Sequence, residues 1–317
     1  MGSAIKQGGG GGGRKRALCQ SGRCAGTVCP FGGNEGGGAS SPSRRFLAGQ
    51  RAVLWKSLAR SMPKGVSRDE AEAHFAKMPL DYWRNVNTVE VRWHLAVMHR
   101  FFEHLSGEAG EGISPVVDWQ RRDERSCFRV AVCAWDCAGL FAAISGAMAA
   151  VELNVCKAFV YTRSDDLALD VFCVNRSERA KGAVEPALRE MTRLLTRALN
   201  GKETFSFESQ KGKEPGARAP GQRTPKETYM AWNNRDSAHH NILHVEIPDR
   251  QGLLYHVADE VTTAGLDVVT GLFRTTKGRF GGELHVTRRS GSKVQDELYL
   301  EGIRKRLFSR LGRVTAE

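Results

Sequence analysis

Long apolar runs are missing from this chain of 317 residues. The longest, residues 137–151, is 15 residues long and is interrupted by Gly139, Ser145 and Gly146, short of the roughly 20 that a membrane-spanning helix needs. No apolar stretch follows the basic residues near the N-terminus, so a secretory signal is not expected, and Lys6 stands where a myristoylation motif has Ser or Thr. The expected setting is the cytoplasm, with no membrane partner. Cysteine pairs of the CxxC kind are also missing. The eight cysteines lie at 19, 24, 29, 127, 133, 137, 156 and 173, and the first three have no second ligand cluster nearby, which argues against a structural zinc site. Free thiols in a reducing compartment are expected. A helix N-terminus can lower a thiol pKa, which singles out Cys137; an unreactive loop thiol is the expectation there. His94, His99 and His104 are spaced by five, and about 140° per step on a helix scatters them around its axis. No P-loop, no dinucleotide fingerprint and no locally supported Ser-His-Asp or Cys-His arrangement occurs. Neither metal nor cofactor is expected.

Acidic residues are scarce at one end only. The net charge is +12, but residues 1–66 carry eleven Lys/Arg against one acid, so only +2 remains for the other 251 residues. The basicity belongs to a tail and not to a folded face. The tail also carries the glycine run Gly8–Gly13 and a second Gly-rich patch, 32–38; such composition cannot bury enough apolar surface to offset its ordering entropy. Met62 would serve equally as a start. Elsewhere, 41 % hydrophobic and 26 % charged residues suffice for a buried core.

Order is expected from Ser67, where Ser67-Arg-Asp-Glu70 reads as a capping box before a short helix that Pro79 closes. A second helix from Thr88 to about Leu105 carries Val91, Leu95, Met98, Phe102 and Leu105 on one face, and glycines at 107, 110 and 112 then form a linker. From Ser126 the period changes to two, with Phe128, Val130, Val132 and Ala134 on one side of a strand. A helix follows over residues 139–151, then strands near Val155–Thr162 and Leu167–Val174 joined by a Ser164-Asp-Asp turn. A helix from Ala183 to Leu199 stops at Asn200-Gly201. A polar linker at 209–225, a strand over Lys226–Asn233 and an alternating strand over Asn241–Ile247 come next.

The order then repeats. A shift of 113 puts Asp136 on Asp249, Gly139 on Gly252, Leu140 on Leu253, Leu153 on Leu266, Val155 on Val268 and Thr162 on Thr275; beyond the turn a shift of 112 puts Val174 on Val286. One unit is present twice. The second copy ends in a helix from about Val294 to Leu311, leaving little chain for a fourth strand. Both copies carry Asp-x-x-Gly-Leu between first strand and first helix, and a polar residue, Asn154 or Asp267, at the start of the second strand. Asp can cap a helix, Gly admits close approach of another backbone or a ligand, and the amides of the first helical turn can hold a carboxylate. His240 and His244 are four residues apart on a strand, too far for easy chelation.

The segments Asp249-Arg250-Gln251-Gly252-Leu253-Leu-Tyr255 and Ala264-Gly-Leu-Asp267-Val resemble the ACT domains of bacterial PII uridylyltransferases. Trp135-Asp136-Cys-Ala-Gly139-Leu140-Phe141 with Leu153-Asn154-Val155 follows the same frame more loosely, and His74-Phe-Ala-Lys-Met-Pro79-Leu-Asp-Tyr82-Trp is similar to the segment that precedes those paired domains. The resemblance covers about residues 67–313. It implies an α+β fold of two tandem ferredoxin-like βαββαβ units: a disordered tail over 1–66, a helical lead-in over 67–107, a first ACT unit over 126–234 with the polar insertion 209–225, and a second over 240–317. It further implies sensing of an amino acid, with glutamine the family's ligand, by Asp249, Arg250, Gln251, Gly252, Leu253 and Asp267, with Asp136, Gly139, Leu140 and Asn154 as the counterpart set. A homodimer formed through the sheets and a protein partner in the PII pathway are implied in the same way. No Gly-Ser followed by Asp-x-Asp and no His-Asp pair occurs, so the family's two metal-dependent catalytic centres are not expected here. Cys137-Ala138 stands in place of the usual Arg-Pro, Glu152 in place of a Gly, and Gln251 in place of the second Pro, while Gly281-Gly282 is expected to soften a strand of copy two. A second reading, from another class, is a nucleic-acid-associated protein acting through the basic tail.

Overall fold

A computed structural model of the chain describes residues 44–106, 114–122, 127–176, 182–205, 228–276 and 278–311, all within the compact unit Ser40–Glu317. The fold is α+β, with seven helices and one eight-stranded antiparallel sheet among the described residues. Three helices lead in: α1 (Arg44–Ala59), α2 (Arg68–Lys77) and α3 (Thr88–Ser106). The capping box at Ser67 and Glu70 is formed with both its hydrogen bonds, and Asn87 and Glu90 make the same reciprocal pair at the start of α3.

The remaining elements fall into two halves of one order. The first half is β1 (Val116–Arg122), β2 (Cys127–Trp135), α4 (Leu140–Ala150), β3 (Leu153–Thr162), β4 (Leu167–Arg176) and α5 (Val184–Leu199). The second half is β5 (Tyr229–Asn233), β6 (Asn241–Pro248), α6 (Leu253–Thr263), β7 (Leu266–Thr276), β8 (Arg279–Arg288) and α7 (Glu297–Leu311). In the sheet they run β1-β2-β4-β3-β7-β8-β6-β5, so the halves meet through β3 and β7. Phe159 pairs with Leu272, Lys157 with Arg274 and Tyr161 with Thr270. Phe159 and Leu272 are equivalents under the repeat shift, and the other two pairs exchange under it. The register is therefore reciprocal about Phe159 and Leu272, as an isologous joint between two copies of one unit demands. A register shift falls between Val155 and Lys157 in the first half and between Val268 and Thr270 in the second, again at equivalent positions.

Alternation gives each strand two faces. Val130, Val132 and Ala134 join Leu140, Ile144 and Met148 of α4, Leu188 and Met191 of α5, and Leu253, Val257 and Ile303 of α6 and α7 in one core cluster. The opposite face of the first half carries Arg129, which pairs inside the protein with Glu90 of α3 and lies under Trp93. His74, Tyr82 and His94 form a buried hydrogen-bonded chain in this layer, and Tyr161 of β3 packs edge-on to Tyr82. Lys77 and Arg163 both pair with Asp165 at the β3–β4 turn, tying α2 to the sheet.

Several expectations change. Residues 44–59, expected within a disordered tail, form α1, with Leu47, Leu54 and Leu58 buried, Trp55 against Phe75 and Arg51 over the Trp83 ring; residues 1–43 lie outside the described residues. The edge strand β1 was not foreseen, because Val116-Val-Asp-Trp-Gln-Arg-Arg122 lacks clean alternation. The strand expected over Lys226–Asn233 at the end of the first unit instead pairs with β6, Met230 opposite Val245. It fills in the second half the edge position that β1 fills in the first, so each half runs ββαββα. Gly282 has a role beyond the expected softening of β8: a Cβ there would stand 2.1 Å from the Leu272 carbonyl oxygen, so the glycine lets the two strands approach. The linker at 107–112 and the insertion at 209–225 fall outside the described residues.

Candidate functional site

Each Asp-x-x-Gly-Leu segment forms the turn from a strand into the first helix of its half. Gly139 and Gly252 stand at the helix starts with φ of 83° and 74°, a left-handed conformation that a Cβ disfavours. The expected capping by Asp does not occur; neither helix start has a side-chain cap. Asp136 instead accepts a hydrogen bond from the Thr162 hydroxyl at 3.1 Å, whereas the hydroxyl of Thr275, the equivalent of Thr162, is buried with no hydrogen-bond partner among the described residues. The backbone amides of Asp136 and Asp249 donate across to the β3–β4 and β7–β8 turns, to Asp166 at 2.8 Å and Gly278 at 3.0 Å. Leu140 and Leu253 are core residues, so only their backbones face the turns.

The two halves exchange parts. One cleft is lined by Asp136, Cys137, Gly139 and Leu140 together with Thr262 and Asp267 of the second half. The other is lined by Asp249, Arg250, Gly252 and Leu253 together with Ala149 and Asn154 of the first. The polar residue at the start of each second strand thus serves the other copy's turn, a pairing no single unit contains. The glycines obey the same exchange: a Cβ on Gly139 would lie 3.1 Å from Thr262, and one on Gly252 would lie 3.8 Å from Ala149. Each cleft encloses about 20 Å³, room for about one water.

The clefts differ in charge. Burial first, then Asp267 and Asp166, raise the Asp136 pKa against the Thr162 hydrogen bond. Burial likewise raises Asp267 and pushes Asp249 up to about 6. Arg250, expected to face a ligand, donates instead to the carbonyls of Arg310 and Leu311 at 3.3 and 3.2 Å, where a cation complements the C-terminal end of α7. Gln251 does not line the second cleft; its amide reaches the Ala149 carbonyl across the halves at 3.4 Å. Burial, Asp136 and Asp267 raise the Cys137 thiol, the opposite of the lowering that a helix N-terminus alone would produce. His94 is buried against Tyr82 and His99 pairs with Glu70; among the described residues no group of three or more His, Cys, Asp or Glu could hold a metal ion. Sequence reasoning missed Asp170, which lines the first cleft from β4. Its signal was available: it is the one acid in the strand Leu167–Arg176.

The frame that carries these turns extends to known proteins. Over 242 residues the chain is 27 % identical to a bifunctional uridylyltransferase/uridylyl-removing enzyme of Ruegeria pomeroyi, covering 74 % of this chain and 25 % of that protein. The corresponding protein of Cereibacter sphaeroides is 27 % identical over 239 residues, with 75 % and 24 % covered. That of Phenylobacterium zucineum is 26 % identical over 293 residues, with 92 % and 29 % covered. The chain's homologues are bifunctional uridylyltransferase/uridylyl-removing enzymes. This is the family that the turn around Asp249 and Gly252 resembles. The chain spans about a quarter of the length of these uridylyltransferase relatives. No family model matches it. The comparisons lend no support to the nucleic-acid reading, and no described helix is long and apolar enough to cross a membrane.

Proposed function

We propose that this chain is a regulatory protein related to the uridylyltransferase family, built of two tandem ACT-type units, and that it binds a free amino acid at the two clefts. The observation that carries this reading is the exchange of parts. Each cleft draws a turn from one half and a strand start from the other, so an occupant touches both and favours one arrangement of the halves. A ligand biases such an equilibrium only through a difference in affinity between its states. Glutamine, the ligand that the family resemblance implies, is the first candidate. The reading includes no catalysis by this chain, a cytoplasmic setting, and a protein partner in nitrogen control that receives the signal. The β3–β7 joint within one chain supplies the sheet-to-sheet contact, leaving β1 and β5 as the edges for any second copy.

The test is a thermal-shift screen of the full chain against the twenty amino acids. Stabilisation should saturate for one or two of them and grow as RT ln(1 + [L]/Kd). A flat response to all twenty would overturn the reading. The purified chain should neither transfer uridylyl groups to PII nor remove them; turnover that survives removal of contaminants would assign it catalysis after all.

A further inference from the structure

Among the positions where the two clefts differ, one holds a buried acid in the first and no side chain in the second. Asp170 pairs with Val132 across β4 and β2, and Gly282 pairs with Val245 across β8 and β6. Val132 and Val245 are equivalents under the repeat shift, so Asp170 and Gly282 are equivalents too. In the second half no side chain fits that place, because a Cβ on Gly282 would collide with the Leu272 carbonyl. In the first half the place holds a carboxylic acid that is 2 % exposed. Asp170 lines the first cleft, and its Oδ1 atom has no hydrogen-bond partner among the described residues. Asp136 and Asp267 line the same cleft, and no Lys or Arg does.

A buried carboxyl with an idle oxygen is costly, and an apolar residue of similar size would serve the core better. A cation arriving from outside would offset that cost. The metal reading fails on the ligand set, since no group of three or more metal-binding side chains is assembled among the described residues. An ammonium group is about the size of the water for which the cleft has room, and it brings three donors to a set of acceptors. We infer that the first cleft takes the ammonium group of an organic amine, with the Asp170 carboxylate as its counter-ion. This rests on the reading that the cleft is a ligand site and adds a chemical class to it. Burial, and next the charge of Asp136, hold Asp170 well above the usual carboxylate range. Any proton that this carboxyl holds leaves to solvent as the ion pair forms. Asp136 from the β2–α4 turn, Asp267 from β7 and the Cys137 thiol are the titratable groups that share the cleft.

The test uses the full chain labelled with 13C at aspartate side-chain carboxyls, the Asp170 signal being assigned by its loss in Asp170→Asn. Ethylammonium chloride, L-glutamine and sodium acetate are titrated in turn. The expected result is that ethylammonium moves the Asp170 carbon to its ionised position, acetate leaves it in place, and Asp170→Asn lowers ethylammonium affinity about tenfold or more. Should Asp170→Asn fail to fold, Asp170→Glu, which keeps the carboxyl, assigns the signal by the loss of its aspartate carbon, and the wild-type titration decides. An Asp170 signal that ignores ethylammonium overturns the inference; if L-glutamine still stabilises the chain, amino-acid binding survives without it. If ethylammonium moves Asp170 while none of the twenty amino acids stabilises the chain, the inference stands and the amino-acid reading falls.

Discussion

The two halves share a backbone order, a bulge position and a glycine-started helix, yet they are finished differently. In the first half the sheet face away from α4 is sealed by the lead-in helices, and charge is brought inside to do it: Arg129 meets Glu90, and two histidines are buried against Tyr82. In the second half the repeat shift puts Ile242 in the place of Arg129, and this half's His244, Glu283 and His285 form part-exposed contacts. Duplication thus conserved what the helix-side core and the joint need. On the opposite face the two copies diverge, with a buried Arg129 in the first and a buried Ile242 in the second.

The largest effect that would sharpen this contrast is expected from Glu90→Ala. It takes the Glu90 carboxylate away from the Arg129 guanidinium in a buried layer and removes the reciprocal cap with Asn87, so denaturant unfolding should show a loss of about 3–5 kcal/mol. A change below about 1 kcal/mol would mean that the cover is not tightly coupled to the sheet. Next comes the cover's outermost helix. Leu58→Ala in α1, at a fully buried position, should cost about 2–5 kcal/mol, and a chain beginning at Met62 should melt several degrees below the full chain. Equal melting midpoints would break the assignment of α1 to the packed structure.

The glycine pair tests the turns directly. Both carry positive φ, so Gly252→Val should cost about 1–2 kcal/mol from backbone strain. Gly139→Val should cost about 1 kcal/mol or more beyond that, because its Cβ would press on Thr262 at 3.1 Å where Gly252 has 3.8 Å to Ala149. Calorimetry on both variants gives the order; the reverse order would break the geometric comparison.

The halves should also respond oppositely to pH. Burial holds His74 down to about 3 and His94 well below its ordinary value. Their contribution is complete above the unfolded pKa of 6.5 and is lost as pH falls from there through the folded values. Each histidine adds a slope of at most about 1.4 kcal/mol per pH unit, and His74→Gln should remove one such share as the pH falls below 6.5. Asp249 has the other sign. Its folded pKa of about 6 lies above the ordinary 3.8, so it favours the fold below pH 3.8 and loses that contribution as pH rises through 6. Asp249→Asn should flatten that limb slightly, the smallest of these effects. An unchanged pH profile in both variants would remove the contrast.

How much of this was legible depends on where each signal lives along the chain. The capping box at Ser67 and Glu70, the helix stop at Asn200-Gly201 and the two Asp-x-x-Gly-Leu turns are local patterns, and each forms where the residues predict it. The edge strands were harder. Residues 229–233 read as a strand but not as part of the second half, because pairing partners are chosen by the sheet and not by chain order. The turn's sequence does not reveal that α7 and α4 end within reach of it, so the bonds of Arg250 to the end of α7 and of Gln251 to Ala149 were not legible. Asp170 stood out only as an acid in an apolar strand until the sheet brought it beneath the first cleft.

By itself, then, the sequence determined the duplication, its fixed offset, the period-two strands and the two glycine turns, because these follow from backbone sterics and side-chain alternation within short stretches. Tertiary structure alone decided that Asp267 serves the first turn and Asn154 the second, because the antiparallel β3–β7 joint turns one copy about against the other and sets each strand start beside its neighbour's loop. It also decided which half would bury its charges. In the first half that burial is made by the packing of Glu90, Trp93 and Tyr82 against Arg129 and Tyr161, residues far from them along the chain.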